Sequence, residues 1–329
     1  MNMKKAVIFG VCGMDGSHMA DLLLSKGYKV YGCGLSQTGR VSNTKTFIDN
    51  PNFRYEQVDI TLAYMVEKVI CNVLPDEIYN LAAQSSVGQS WNYPSITFSV
   101  NTTGFLTILN AVKEYSPNSK VFQPGSSEMY TLDFEGFPYR TVKYVDLPSP
   151  VNPYAISKAA SFHLAKTYRE AHNLFIVNGI MFSHESYRRS KKFLTQTLIS
   201  QIVDVHLGLK EKVHIGSLDV VRDWGYAKEY VEGMYLSLQN DFAGDYVFAS
   251  GKEKSIRDFV DIAFSHIGID NPENYIYQSG IERPIETHLV TGETTHTKIN
   301  LHWESKTSFD VIVREMVDKE IEKRNENEN

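Results

Sequence analysis

A tyrosine and a lysine four positions apart open the segment Pro153-Tyr-Ala-Ile-Ser-Lys158, and that spacing points to acid–base chemistry. Residues at i and i+4 share one helix face, so the Lys158 ammonium can lie near the Tyr154 phenol or near something both touch. A phenol titrates near 10 when unperturbed, which makes it a poor base at neutral pH. A cation about 4 Å away, at an effective dielectric near 20, is worth roughly 4 kcal/mol, or about three pKa units, and would bring Tyr154 toward working pH. A second group is the run Ser126-Ser127-Glu128, a hydroxyl and a carboxylate within three residues. Alone, Ser-Ser-Glu after a strand is a capping pattern; beside a Tyr/Lys pair it supplies a second proton carrier.

These side chains need elements to hold them. Asn152 suits an N-cap and Pro153 the first helical position, so a helix is predicted from 153 onward, with Tyr154 and Lys158 at its start. The first 185 residues alternate short apolar runs with helical periodicity, the pattern of a parallel sheet wrapped by helices. Strands are predicted at 5–10, 29–34, 53–59, 76–82, 120–125 and 175–182. One helix stops at Gly27, and a long one spans 97–115. Beyond 185 the alternation weakens, with helices predicted at 191–208 and 255–268 and short strands at 212–218 and 245–250. Ligands collect outside the carboxyl ends of such strands, which puts Glu128 and Tyr154 in one crevice.

Directly after the first strand comes Gly-Val-Cys-Gly-Met-Asp-Gly, with Gly10, Gly13 and Gly16 in a G-x-x-G-x-x-G spacing. Glycines here let backbone N–H groups approach a pyrophosphate at the positive end of a helix, and Met14 and Asp15 belong to the same turn. Dinucleotide binding follows from that placement between strand and helix. The fold class is therefore α/β: a Rossmann-type doubly wound parallel sheet over 1–182, with some elements of 217–250 returning to it. A smaller C-terminal substrate lobe covers 183–320, and 321–329 form a polar, frayed tail. The segment after the second strand, 34–45, carries no acid to receive ribose hydroxyls. It offers Ser36, Arg40 and Lys45, so NADP is the expected cofactor, with NAD possible. Asp59 and Ile60 after the third strand are placed to meet the adenine, Leu81, Ala82 and Ala83 to line the groove, and Asn101 to lie beside it.

Composition removes several classes. The net charge of -6 and the lack of a Lys/Arg run interleaved with aromatics exclude a nucleic-acid surface. Three cysteines without ligand spacing, and ten histidines without an HxxxH cluster, argue against a metal site and for a reducing compartment. No apolar run approaches the 18 or more residues of a membrane span. A cytoplasmic protein is expected, with no membrane partner.

Seven blocks, read together, carry a resemblance. They are GMDGSHMADLLLSKGYKVYG, PDEIYNLAAQSSVGQSW, GSSEMY, NPYAISK, NGIMFSHESYRR, DVVRDWGYAKEYVEGM and RPIETHLVTGETTHTKINLHW, in that order over about 300 residues. The chain resembles the GDP-mannose 4,6-dehydratases, extended short-chain dehydrogenase/reductases. The resemblance implies a GDP-sugar substrate and a catalytic set of Ser126, Glu128, Tyr154 and Lys158. Tyr154 would take the C4 hydroxyl proton while hydride passes to NADP+, and Ser126 would hold the C4 oxygen. Glu128 would remove the C5 proton and help water leave from C6, where hydride returns. His184 would join the cofactor site. Ser86, Ser183, Glu185 and Arg188 would lie near the sugar, Arg222 and Arg283 would face the diphosphate, and Glu286 a ribose. A homodimer or homotetramer is implied.

The chain also departs from the family. Gly34 to Arg40 replace a paired arginine that grips the cofactor phosphate, and Pro124-Gly125 replace Ala-Ser before Ser126. Ser183 stands for an asparagine, and YRRSKKF for PRRGETF. The hexose is therefore open, with GDP-N-acetylglucosamine or a GDP-manno-heptose as alternatives to GDP-mannose. Two other readings are a GDP-4-keto-6-deoxymannose reductase and a non-catalytic, dinucleotide-sensing protein of the same fold.

Overall fold

The strand segments are apolar on both sides because helices cover both faces of the sheet they form. In the computed structural model, which describes residues 3–130, 139–278 and 289–328, the first half runs β1 (Lys5–Phe9), α1 (Met14–Ser25), β2 (Lys29–Gly34), β3 (Phe53–Gln57), α2 (Ala63–Val73), β4 (Glu77–Asn80), α3 (Val87–Asn92), α4 (Pro94–Phe98), α5 (Gly104–Tyr115), β5 (Lys120–Pro124), β6 (Tyr139–Val142) and α6 (Pro153–His172). Then follow β7 (Ile176–Met181), β8 (Ser183–Glu185), α7 (Leu194–His206), β9 (Val213–Ile215), β10 (Val221–Tyr226), α8 (Ala227–Gln239) and β11 (Asp245–Phe248). The rest is β12 (Glu253–Ser255), α9 (Ile256–His266), β13 (Ile276–Gln278), β14 (Leu289–Gly292), α10 (Thr295–Leu301) and α11 (Phe309–Glu328).

Seven strands pair in parallel in the order β11-β7-β5-β4-β1-β2-β3. Alternate residues of one strand enter opposite cores. Val7 and Phe9 join Ile78, Val121 and Ile176 under α2 and α5, through Val69, Ile70, Phe105, Ile108 and Val112. Ala6 and Ile8 join Tyr79, Phe122 and Val177 under α1 and α8, through Met19, Leu23, Tyr230, Val231 and Met234. The chain moves from β1 outward to β3 and then crosses back to β4 on the other flank of β1, so the loops after β1 and β4 diverge. That reversal opens a crevice above the carboxyl ends of the strands.

The second lobe has its own core, built where α7, α9 and α11 meet through Leu198, Ile202, Phe259, Phe264, Ile312 and Met316. Strand β10 joins the lobes: Val221–Asp223 pair with β12, and Trp224–Tyr226 pair with β8, which follows β7 directly. Two expectations change. The helix predicted over 97–115 is interrupted by a wide π-turn at Ser99–Thr103, where Asn101 turns inward. The stretch read as a frayed polar tail is the end of α11, which is helical to Glu328. Arg324 there bonds Glu320 at 3.0 Å, Ser200 at 2.7 Å and Asp204 at 2.9 Å, fastening α11 to α7.

Candidate active site

Helix α6 begins as the sequence demands. The Ala155 N–H donates to Asn152 Oδ1 at 2.8 Å, Pro153 occupies the first turn, and Tyr154 and Lys158 come out buried on one face. Ser126 leaves the tip of β5 on the Tyr154 side, where its hydroxyl favours the phenolate. The Glu128 N–H donates to Ser126 Oγ at 3.2 Å, and the Asn152 amide donates to Glu128 Oε2 at 3.3 Å. The four residues expected to do the chemistry therefore meet at one crevice wall.

Their electrostatics differ from the simple expectation. Burial pushes the Tyr154 phenol up to about 12, with the Ser126 hydrogen bond opposing, the Glu128 charge adding, and Arg189 pulling down. Lys158 Nζ lies 5.9 Å from the Tyr154 ring centroid and donates to the Pro124 carbonyl at 2.9 Å. Burial also lowers Lys158 to about 8, against which the Asp15 carboxylate works. In this geometry desolvation outweighs whatever a cation turned toward a backbone carbonyl contributes, so the phenol comes out raised.

The glycine loop fits a pyrophosphate cradle. Gly10 has φ +84°, and a Cβ there would lie 2.5 Å from the Leu81 carbonyl oxygen; at Gly16 it would lie 2.2 Å from the Gly10 oxygen. These two are needed for the turn and for helix-to-strand packing. Gly13, the N-cap of α1, would bring a Cβ no nearer than 3.3 Å to the Gly10 oxygen, so it is the glycine whose bareness serves an approaching ligand. Met14 is buried at the head of α1. Asp15 beside it bonds His184 Nε2 at 3.0 Å, while His184 Nδ1 donates to the Phe182 carbonyl at 2.7 Å and the ring stacks on Tyr230. Burial works against both charges, but each holds the other: His184 is raised above its ordinary pKa and Asp15 lowered. This ion pair clamps the glycine loop to β8.

The other expected cofactor residues divide. Leu81 to Ala83 leave β4 against Gly10, as a groove wall should. One Asp59 oxygen caps its own turn, accepting from the Thr61 N–H at 2.9 Å and the Thr61 hydroxyl at 2.7 Å. Ile60 is packed on Gly104, with its carbonyl taken by Thr107 at 2.7 Å, so its side chain belongs to the core. Ser36 shapes the loop after β2, receiving Gly39 N–H on its hydroxyl and Tyr55 OH on its carbonyl. Arg40 forks onto Asp49 at 3.2 and 2.5 Å on the surface, and Lys45 is exposed. Asn101 spans β4 and α6: it accepts from the Gln84 N–H at 2.9 Å and donates to the Gln84 carbonyl at 3.0 Å and Ser157 Oγ at 2.9 Å.

On the sugar side one assignment moves. Arg188 is buried against Asp21 of α1 at 2.7 Å and Thr46, so its guanidinium is held by α1 and the loop after β2. Arg189 takes the crevice position: it bonds Glu185 at 2.7 Å and the His184 carbonyl, and its charge reaches Tyr154. Neither arginine is a loose surface charge. Ser86 caps α3 by accepting from the Gln89 N–H at 3.2 Å. Ser183 opens β8 opposite Trp224, two residues along β10 from Arg222, whose Nη1 donates to Val221 O at 2.8 Å. Arg283 and Glu286 lie outside the described residues. Sequence reading missed Asn43, whose amide donates to Cys12 O at 3.3 Å and Arg188 O at 3.1 Å and so ties the loop after β2 to both neighbouring loops. Among the described residues, no group of three or more His, Cys, Asp or Glu could hold a metal ion.

The family model described as GDP-mannose 4,6 dehydratase matches residues 7–316. The chain is 36% identical over 351 residues to the GDP-mannose 4,6 dehydratase of Homo sapiens, covering 98% of this chain and 93% of that one. It is 32% identical to the enzyme of Vibrio cholerae, covering 98% and 95%. Among solved structures, a dTDP-glucose 4,6-dehydratase of Streptomyces venezuelae with NAD bound superposes with TM-score 0.86 at 21% identity, covering 98% of each chain. The RMD protein of Pseudomonas aeruginosa complexed with NADPH gives 0.79 at 20%, again over 98% of each. The structures share the fold, and the sequence matches fix the group: the chain belongs to the GDP-mannose 4,6-dehydratase family.

Proposed function

We propose that this protein is a hydro-lyase that removes one water from GDP-mannose to give the GDP-4-keto-6-deoxy sugar, with NADP as a recycled cofactor. The meeting of Ser126, Glu128, Tyr154 and Lys158 at one crevice wall carries the reading. Gly10, Gly13, Gly16 and the start of α1 would hold the dinucleotide, whose nicotinamide supplies reversible hydride storage when bound. Tyr154 removes the proton from the C4 hydroxyl, with Ser126 fixing that oxygen. A ketone at C4 acidifies the neighbouring C5 proton, which Glu128 takes and then delivers to the departing C6 hydroxyl. Arg189 and Lys158 keep positive charge near the phenolate that accepts the C4 hydroxyl proton.

NADP over NAD is supported by the missing acid in 34–45. Exposed Trp91, Tyr93, Ile96 and Phe98 near α6 support a homodimer or homotetramer. Cys12, Cys33 and Cys71 are all free thiols, in keeping with the cytoplasm, and no helix among the described residues is long and apolar enough to cross a membrane. The test is mass spectrometry of products from a panel of GDP- and UDP-sugars, without added cofactor and with NADP+ or NAD+. Loss of one water from GDP-mannose without net cofactor consumption supports the reading. Dehydration of GDP-N-acetylglucosamine or a GDP-manno-heptose alone moves the sugar and leaves the mechanism. Stoichiometric cofactor consumption on a 4-keto sugar gives the reductase instead.

A further inference from the structure

The turn that carries Glu128 is fastened to the start of α6 at two points. One is backbone: the Ser149 N–H donates to the Met129 carbonyl at 2.6 Å. The other is the side chain of Asn152, which is almost completely buried. Its Oδ1 accepts from Ala155 N–H at 2.8 Å, fixing the first turn of the helix that presents Tyr154, and its Nδ2 donates to Glu128 Oε2 at 3.3 Å. An amide has one acceptor end and one donor end, and each is used for a different purpose. Aspartate or serine would cap the helix as well as asparagine does. Neither offers a donor of that reach to a carboxylate.

We propose that Asn152 is a positioning residue that aligns the C5 base with the C4 acid–base: it sets Glu128 relative to Tyr154 through one planar amide. The proposal rests on the dehydratase reading above. It accounts for the choice of asparagine at a cap where other residues would serve. Glu128 reaches C5 only while its carboxylate is held in line with the sugar ring, and a small misplacement of a proton carrier lowers the rate by up to about 100-fold. Tyr154 stays on a capped helix in either replacement.

The experiment compares wild type, Asn152→Asp and Asn152→Ser on the same GDP-sugar in D2O. Three readouts are taken: cofactor reduction in a single turnover for C4 oxidation, deuterium entry at C5 for Glu128, and Tm for the cap. The expected result is Tm within a few degrees of wild type, C4 oxidation slowed by less than about threefold, and C5 exchange slowed by about 10- to 100-fold. A role in capping alone predicts that both replacements keep both steps at the wild-type rate, and that result overturns the proposal. Equal slowing of both steps also overturns it, since the side chain would then serve the helix as a whole. Wild-type protein that shows neither step on any GDP-sugar overturns the dehydratase reading, and the proposal with it.

Discussion

Lys158 stands 5.9 Å from the ring centroid of Tyr154 and gives its hydrogen bond to Pro124, not to the phenol. The two groups are shifted apart by burial, the phenol up to about 12 and the amine down to about 8. For Lys158 the sign is clear. Unfolded, it binds a proton up to about 10.5; folded, it lets go near 8, so wild-type stability rises with pH between those values. Lys158→Met removes this slope. Denaturant titrations at pH 8 and pH 10.5 should show wild type gaining about 3 kcal/mol relative to the variant. Parallel curves for the two proteins would mean that Lys158 is not desolvated.

Tyr154→Phe keeps the ring that packs at the head of α6 and removes the proton carrier. Dinucleotide affinity should change less than twofold, while turnover falls by about 100-fold or more. Isothermal titration and product assays separate the two effects. Weakened cofactor binding with activity retained would reverse the roles.

Glu128→Gln keeps the shape of the side chain and removes the C5 base. Cofactor reduction on first mixing with GDP-mannose should persist, and deuterium entry at C5 should fall by about 100-fold or more. Release of dehydrated product at the wild-type rate would rule Glu128 out as base.

The glycines of the phosphate turn should separate by role. Gly10→Ala forces a left-handed residue to carry a Cβ against Leu81, and should lower stability by about 1–3 kcal/mol or more. Gly13→Ala should leave Tm nearly unchanged and weaken dinucleotide binding. Thermal melts with and without NADP+ read both.

His184 and Asp15 give a pH signature of their own. The contribution of His184 is complete below its unfolded pKa near 6.5 and is lost as pH rises through its raised folded value. That of Asp15 is present above about 4 and is lost as pH falls through its lowered folded value. Asp15→Asn should therefore cost most between about pH 4 and 6.5, and lower the His184 pKa by leaving burial opposed only by the bond to the Phe182 carbonyl. NMR titration of the ring checks this; an unmoved pKa would show that Asp15 does not hold it.

Much of this site was legible because its signals are local. Gly10, Gly13 and Gly16 mark a strand-to-helix turn, and Asn152-Pro153 marks a helix start, so the glycine turn and the place of the phenol followed from short stretches of chain. What failed depended on distant partners. Whether Arg188 or Arg189 faces the crevice turns on Asp21, far away in sequence, and nothing near 188 reveals it. Spacing on a helix says that Lys158 and Tyr154 share a face, not which carbonyl lies nearest the amine. The end of α11 looked like a solvated tail because its charges find Ser200, Asp204 and Glu320 only in the folded lobe.

The return of α8 and β11 to the first sheet sets a condition on synthesis. Tyr230, Val231, Met234 and Leu238 cover the face that Met19, Ala20 and Leu23 also share, and Phe248 and Trp303 complete it. A ribosome that has released residues 1–182 has released six of the seven strands, yet one side of the sheet is covered by α1 alone and lacks α8. The nascent chain must hold that apolar surface in water until roughly the last quarter of the protein emerges. The seven-stranded sheet is thus not closed by residues 1–182; its last strand and one covering helix are encoded after β8 and α7.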